Sequence, residues 1–173
     1  QMCIRDRIQG FGEYGFPETH SASFALLVYV SAWLKCHEPA AFFCALLNSQ
    51  PMGFYAPAQL LRAARRQGVT VMPVDVNASD RESTLEPDAR DAPGIRLGFD
   101  RIKGLTADAA ERIVAARRAG GPFADVPELA RRAGLDAKDL GALAAAGALQ
   151  PISRNRHRAR WDVAGVEPRT DAA

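Results

Sequence analysis

Residues 11–47 read FGEYGFPETHSASFALLVYVSAWLKCHEPAAFFCALL, and this stretch decides the first part of the fold. Its centre, residues 21–35, is apolar almost all the way round a helix of period 3.6, which is typical of a helix that its neighbours bury. Serines interrupt the run and basic residues flank it, whereas a membrane span needs about 20 uninterrupted apolar residues. We therefore predict a core helix here and no membrane partner.

The loop before this helix carries three glycines among aromatic residues, and Pro17 fixes its backbone ahead of the oxygens of Thr19 and Ser21, which are suited to an N-cap. Backbone N–H groups at the start of a helix, with His20 beside them, can hold an anionic phosphate. A tight entry loop whose aromatic side chains pack beneath the helix also fits the pattern, because the irregular glycine spacing is a weak phosphate signal.

The composition, 47% hydrophobic and 24% charged over 173 residues, excludes a chain that is disordered throughout. Three cysteines are an odd number and suit a reducing compartment better than a disulfide framework, so we expect a cytoplasmic protein. Cys36, His37 and Cys44 lack the short spacing of a zinc knuckle. No metal site is predicted from them.

A net charge of +2 is too small to indicate a nucleic-acid-binding protein by itself. The arginines cluster, however, within residues 62–66, 117–118 and 154–160. The last cluster is interleaved with His157 and ends at Trp161, and only this one is dense enough to suggest phosphate binding. Each cluster also fits a solvated helix face.

Local signals after the first helix predict further helices with minor β structure. Pro39 suits the first position of a helix over residues 40–47, and Pro57 opens another helix that Gly68 ends. Residues 69–76 are extended but kinked by Pro73, which restricts them to a sheet edge or to a strand outside any sheet. Residues 95–99 alternate in polarity and could pair with residues 83–85.

A second informative stretch, residues 102–117, reads IKGLTADAAERIVAAR. Gly104 permits a tight turn in which successive N–H groups at a helix start can bond a phosphate oxygen without reading base sequence. Lys103 adds a positive charge, and the Thr106 hydroxyl could serve as an N-cap. The helix that follows has Ala110, Ile113 and Val114 on one side. An ordinary helical hairpin that only packs the domain fits equally well.

A second pair of helices is predicted over residues 126–133 and 137–146, joined by the turn Gly134-Leu135-Asp136 and ended by Gly147. Leucines supply its shared core, and the many alanines allow the helices to approach closely. The leucines expected in the core are Leu129, Leu135, Leu140, Leu143 and Leu149.

Three of these stretches together resemble a known family. Residues 12–23 (GEYGFPETHSAS), 32–40 (AWLKCHEPA) and 45–49 (ALLNS) are similar to the fingers region of bacterial C-family DNA polymerases, the family of the DNA polymerase III alpha subunit. The similarity is greatest to the error-prone, damage-inducible branch and runs, with gaps, from Ile8 to Trp161. Glu18 stands where the replicative branch usually has a lysine, and a carboxylate cannot hold a triphosphate as an ammonium does.

Residues 102–117 resemble a helix-hairpin-helix DNA-binding element, although Thr106 replaces its usual second glycine. The resemblance to the polymerase fingers implies that Tyr14 and His20 contact the incoming nucleotide. The resemblance to a helix-hairpin-helix element implies duplex DNA contacts by four consecutive residues, namely Lys103, Gly104, Leu105 and Thr106.

The resemblance implies a mainly α fold, in which the helical end of a polymerase fingers domain precedes a tandem helix-hairpin-helix domain, with minor short β segments. The expected division is an unmatched leader at 1–7, a truncation point or assembly artefact, then fingers at 8–86. A linker at 87–94, the helix-hairpin-helix domain at 95–150 and a basic tail at 151–173 follow.

For the parent protein, the resemblance implies template-directed DNA synthesis in damage-induced mutagenesis and translesion synthesis. Its implied cofactor is Mg²⁺, and its implied partners are primer-template DNA, deoxynucleoside triphosphates, a sliding clamp and damage-tolerance proteins. The catalytic aspartates of the family belong to the palm, so we predict no catalytic residue and no unaided activity for this fragment. The alternatives are a non-enzymatic helix-hairpin-helix DNA-binding module and a structural helical adaptor.

Overall fold

Three helices open the described part of the chain: α1 at Glu18–His37, α2 at Pro39–Asn48 and α3 at Pro57–Arg66. The computed structural model describes residues 18–52, 55–153, 163 and 165, and for residues 18–21 the backbone alone. Pro39 and Pro57 each occupy the start of a helix, where the N–H that proline lacks would have no partner within the helix. Gly68, with φ 80°, follows α3 in the left-handed region, as predicted.

Helix α1 is largely exposed, although the sequence predicted a buried core helix. Leu26 and Tyr29 are 64% and 69% exposed, and the helix packs against α2. The prediction was wrong because an apolar pattern shows that a helix requires cover but does not identify the segment that provides it. The helix also begins at Glu18, so Thr19 and Ser21 lie in its first turn and not at the cap.

A small sheet joins the two halves of the chain. Its strands are β1 at Val71–Met72, β2 at Thr84–Pro87 and β3 at Pro93–Arg96, in the order β1-β3-β2. The β1 strand runs parallel to β3 with Val71 opposite Ile95, and β2 runs antiparallel to β3 with Leu85 opposite Ile95. β1 lies at a sheet edge, one of the two positions predicted for residues 69–76, but only Val71–Met72 form a strand. The predicted pairing of residues 95–99 with 83–85 is present at Ile95 with Leu85 and at Arg96 with Thr84.

Residues 87–94, predicted to be a linker, form the end of a β-hairpin. Pro87 lies opposite Pro93, and the turn between them is closed by the Asp88 carboxylate. Asp88 Oδ1 accepts hydrogen bonds from the amides of Arg90, at 2.8 Å, and Ala92, at 3.1 Å, while Oδ2 accepts one from the Thr70 hydroxyl at 2.7 Å. Proline and aspartate are as common in such turns as in linkers, so composition alone did not separate the two.

The second half is helical. A 3-10 turn at Phe99–Arg101 precedes α4 at Ala107–Gly120, α5 at Val126–Ala133, α6 at Ala137–Ala146 and α7 at Gln150–Ser153. The predicted bounds of α5 and α6 are confirmed. Each of the three longer helices begins at a side-chain cap, because Thr106, Asp125 and Asp136 accept a hydrogen bond from the amide three residues on.

Apolar side chains form two cores, and the partly buried Leu97 packs against both. The smaller core lies between α2, α3 and the sheet, and includes Phe43, Leu47 and Ile95. The larger core lies among the helices of the second half and contains all the predicted leucines: Leu129, Leu135, Leu140, Leu143 and Leu149. No helix within residues 18–52 and 55–153 is both long enough and apolar enough to cross a membrane.

Candidate nucleic-acid interface

The first bend, residues 103–108, connects the 3-10 turn to α4. Gly104 has φ 92°, in the left-handed region that glycine adopts readily, and a Cβ placed on it would meet no atom within 4 Å. Lys103 and Thr106 are exposed, whereas Leu105 is partly buried against the larger core. The predicted glycine turn is therefore present, and its backbone faces open space.

Backbone amides at this bend are available to an anion. Thr106 Oγ1 accepts from Ala109 N at 3.1 Å, which confirms that this hydroxyl caps α4. The amides of Gly104, Ala107 and Asp108 have no acceptor among the residues that the structure describes. Free N–H groups at the start of a 14-residue helix carry the positive end of its dipole. They can bond a phosphate oxygen.

Charges around the first bend are nearly balanced. Lys103 forms no ion pair with the described residues. The Asp108 carboxylate, 80% exposed, would oppose an incoming phosphate, but Arg112 Nε donates to it at 3.0 Å. The pairing offsets the one negative charge on the bend and leaves Lys103 as its cation.

The second bend, residues 134–139, repeats this local structure between α5 and α6. Gly134 has φ 60°, and Asp136 Oδ1 accepts from Asp139 N at 2.7 Å as the cap of α6. Unlike Gly104, Gly134 donates its N–H to Ala130 O, and Leu135 N donates to the same oxygen at 3.0 Å. The second bend is thus tied back to its preceding helix.

Arg112 connects the two bends. Besides Asp108, its guanidinium donates to Ala133 O at 2.8 Å and to Gly134 O, and lies 3.6 Å from an Asp139 carboxylate oxygen. Burial, together with repulsion from Asp136, raises the pKa of the Asp139 carboxyl. Sequence reasoning missed Arg112, and the only signal for it was its position four residues after Asp108.

Two other arginines donate hydrogen bonds to backbone oxygens within the fold. Arg117, which the sequence grouped with Arg118 as a basic cluster, donates to Ser79 O at 2.6 Å and to Asp80 Oδ1 at 2.8 Å. Arg132 donates to Ala116 O at 2.6 Å and lies over the Phe123 ring, 4.6 Å from its centroid. These charges are committed to internal contacts and are not free for a ligand.

The structure groups four of the six predicted site residues: Lys103, Gly104, Leu105 and Thr106 form one bend. His20 lies in the first turn of α1, where the backbone alone is described, and Tyr14 lies outside the described residues. The basic cluster at 154–160 lies outside them as well. The structure therefore neither joins nor separates Tyr14 and His20.

The structure shows no cluster of three His, Cys, Asp or Glu side chains suited to a metal ion in the part of the chain it describes. Cys36 is exposed, while Cys44 is buried and donates its thiol to Ser83 O at 3.2 Å. Burial raises the pKa of the Cys44 thiol, and Glu82 raises it further.

The chain is similar to proteins of one kind across nearly its whole length. A family model described as helix-hairpin-helix motif matches residues 68–159. The chain is 61% identical over 164 residues to the error-prone DNA polymerase of Teredinibacter turnerae, covering 94% of this chain and 16% of that protein. It is 61% identical over 165 residues to the error-prone DNA polymerase of an Azoarcus species, covering 92% of this chain and 15% of that protein. It is 58% identical over 164 residues to the error-prone DNA polymerase of Pseudomonas fluorescens, covering 95% of this chain and 16% of that protein. The chain thus spans less than a fifth of these relatives.

Proposed function

Since the chain belongs to the helix-hairpin-helix motif family, with the match covering residues 68–159, we propose that its first bend holds the sugar-phosphate backbone of duplex DNA. The parent protein in this proposal is an error-prone, template-directed DNA polymerase of the C family, used in damage-induced mutagenesis and translesion synthesis. The relatives that carry the name error-prone DNA polymerase support this reading, because each matches more than nine-tenths of the chain.

One observation carries the proposal: the amides of Gly104, Ala107 and Asp108, which have no acceptor among the described residues, lie at a helix start beside the exposed Lys103. Backbone N–H donors and a flexible ammonium bind phosphate oxygens without distinguishing one base sequence from another. A polymerase must hold duplex of any sequence, so this arrangement suits it. The same relatives favour a polymerase segment over a stand-alone DNA-binding module.

The remaining roles belong to the parent protein. We propose that Tyr14 and His20 contact the incoming deoxynucleoside triphosphate, and that this chain alone contributes contacts and not catalysis. Mg²⁺ would neutralise the triphosphate and activate the primer hydroxyl, held by carboxylates outside the residues described here. A sliding clamp, damage-tolerance proteins and a cytoplasmic location complete the proposal.

Replacing Lys103 with alanine tests the DNA contact. We expect Lys103→Ala to weaken duplex binding to a similar degree for unrelated sequences, and to lower the slope of log K against log salt by about 1, because one phosphate contact is lost. Fluorescence anisotropy with two duplexes across a salt series measures both quantities.

Arg90→Ala is the control at another exposed cation, because the Arg90 side chain on the β2–β3 hairpin is 74% exposed and pairs only with Asp88 of its own turn among the described residues. It should leave the salt slope unchanged. If the unaltered chain does not bind duplex DNA, or if its affinity does not depend on salt concentration, the proposed function is contradicted.

A further inference from the structure

We propose that Arg112 closes the second bend and so makes the DNA contact one-sided, with the first bend holding the phosphate and the second bend supporting it. The inference rests on the proposed function of the first bend. It assigns different roles to the first and second bends, and Arg112 is the residue that positions them.

The two bends share one local structure. Each has a glycine at positive φ, then a leucine, then a capping residue that accepts from the amide three positions on: Gly104 with Thr106, and Gly134 with Asp136. An alanine opens the helix in both cases. Backbone geometry therefore does not explain why one bend would bind phosphate and the other would not.

Hydrogen bonding separates the bends. The Gly104 amide has no acceptor among the described residues, whereas the Gly134 amide donates to Ala130 O. Arg112 then takes the carbonyl oxygens of Ala133 and Gly134, so both the donor and the acceptor of that glycine are occupied. The second bend is fixed in place by these bonds. The Gly134 and Leu135 amides are thus occupied, while those of Ala137 and Lys138, like those of Ala107 and Asp108, have no acceptor among the described residues.

Charge separates them further. The cap of the first bend is the neutral Thr106, and Ala109 stands three positions later. The second bend has carboxylates at both of these places, Asp136 and the buried Asp139. Lys138 is exposed between them, and the Arg112 guanidinium faces Asp139 at 3.6 Å. The Asp136 carboxylate at the cap of α6 disfavours a phosphate beside the α6 amides, whereas the cap of α4 is uncharged.

The guanidinium of Arg112 spans both bends because its donors form a planar fork. Nε holds Asp108 on the first bend, Nη1 holds two carbonyl oxygens of the second, and Nη2 faces Asp139. A lysine ammonium of similar reach is a single point of contact and cannot serve all of these acceptors. Arg112 therefore both offsets the Asp108 charge and sets α4 against the second bend.

An exchange of the two capping residues tests the one-sided contact. Thr106→Asp retains an N-cap, since aspartate caps at least as well as threonine, so thermal unfolding should change little. It places a carboxylate on the first bend, and we expect duplex affinity to fall roughly tenfold. Asp136→Thr is the matched control at the second bend. It should leave the affinity within about twofold.

Amide chemical shifts of the ¹⁵N-labelled chain locate the contact directly. On addition of duplex DNA, the Gly104 resonance should move and the Gly134 resonance should not. Equal movement of both, or an effect of Asp136→Thr as large as that of Thr106→Asp, overturns the inference but leaves the proposed function standing. The absence of both binding and shifts contradicts the proposed function itself.

Two substitutions test whether Arg112 acts by positioning the two bends or only through its positive charge. Arg112→Met removes the charge, and Arg112→Lys retains it without the fork. If Arg112 positions the bends, both should weaken duplex binding to a similar extent, and duplex should then shift Gly134. Full affinity in Arg112→Lys would show that charge alone suffices and would overturn the role proposed for Arg112. Should Arg112→Met fail to fold, the lysine variant and the cap exchange still decide the question.

Discussion

At the scale of single residues, three arginines of the helical half hold backbone segments together. Arg112, Arg117 and Arg132 each donate to at least two backbone carbonyl oxygens, which a charged donor bonds more strongly than a neutral one. Lys103 has no such partner among the described residues. Arginine density along the sequence is thus a poor guide to the DNA-binding surface, and the contacts of each side chain are a better one.

Asp88 is a residue whose ionisation should contribute to acid stability. Hydrogen bonds from Thr70 and from the amides of Arg90 and Ala92 lower the pKa of its carboxyl from 3.8 to about 2. A depressed pKa means that the unfolded chain binds the proton first as pH falls. The stability that Asp88 contributes is therefore complete above about pH 4 and is lost as pH falls toward 2.

We expect Asp88→Asn to lower the urea midpoint at pH 7 and to flatten the dependence of that midpoint on pH between about 4 and 2. Asp91→Asn is the control on the same turn, because Asp91 has φ 59°, which asparagine tolerates. It should retain the dependence on pH. Urea unfolding at several pH values measures both, and an unchanged Asp88→Asn profile would contradict the assignment.

At the scale of elements, caps define the helical half. Helix α5 has eight residues, too few to be stable as an isolated peptide, so its cap at Asp125 and its buried face must stabilise it. Gly134 and Gly147 end α5 and α6 in the left-handed conformation, with their amides bonded to the preceding turn. Local signals of this kind place the helices, and packing then holds them.

Two glycines of this half should respond to alanine in opposite directions. Gly141 lies inside α6 with nothing within 4 Å of an added Cβ, so Gly141→Ala should stabilise the fold by about 1 kcal/mol through helix propensity. Gly104 has equal space but φ 92°, so Gly104→Ala should destabilise it by about 1 kcal/mol through backbone strain. Thermal unfolding of the two variants checks the contrast. A shift of the same sign in both would refute it.

At the scale of the whole molecule, two cores meet at the sheet. The β2–β3 hairpin packs against α2 and β1 packs against α3, while Leu97, just after β3, also packs against the larger core. Ser79 reinforces the junction, because its buried hydroxyl donates to Leu97 O at 2.7 Å and accepts from Asp75 N at 3.0 Å. Helix α1 lies largely outside both cores.

Leucine substitutions should show this difference between α1 and the smaller core. Leu47 is fully buried, so Leu47→Ala should lower the free energy of unfolding by about 2–5 kcal/mol, because it removes apolar contacts and leaves a cavity. Leu26 is 64% exposed, and Leu26→Ala should change it by less than about 0.5 kcal/mol. Denaturant titration measures both. Comparable losses would mean that α1 is covered in solution.

The sequence by itself determined the helices α2 to α6, the extended backbone around β1 and the two glycine bends. The signals for these features lie within a few residues: proline at a first helical position, a capping side chain, a glycine at the end. The same reasoning placed Lys103, Gly104, Leu105 and Thr106 together, because they are consecutive.

Only the tertiary structure decided which bend is open, whether α1 is covered, and that residues 87–94 turn a hairpin. Arg112 reaches Gly134 across 22 positions of sequence, and Asn48 donates to Ser83 O across 35. Such contacts depend on how helices and strands pack, and hydrophobic periodicity specifies a buried face without specifying its partner. Asp136 and Asp139 already distinguish the second bend in the sequence. Folding adds the contacts of Arg112 with that bend.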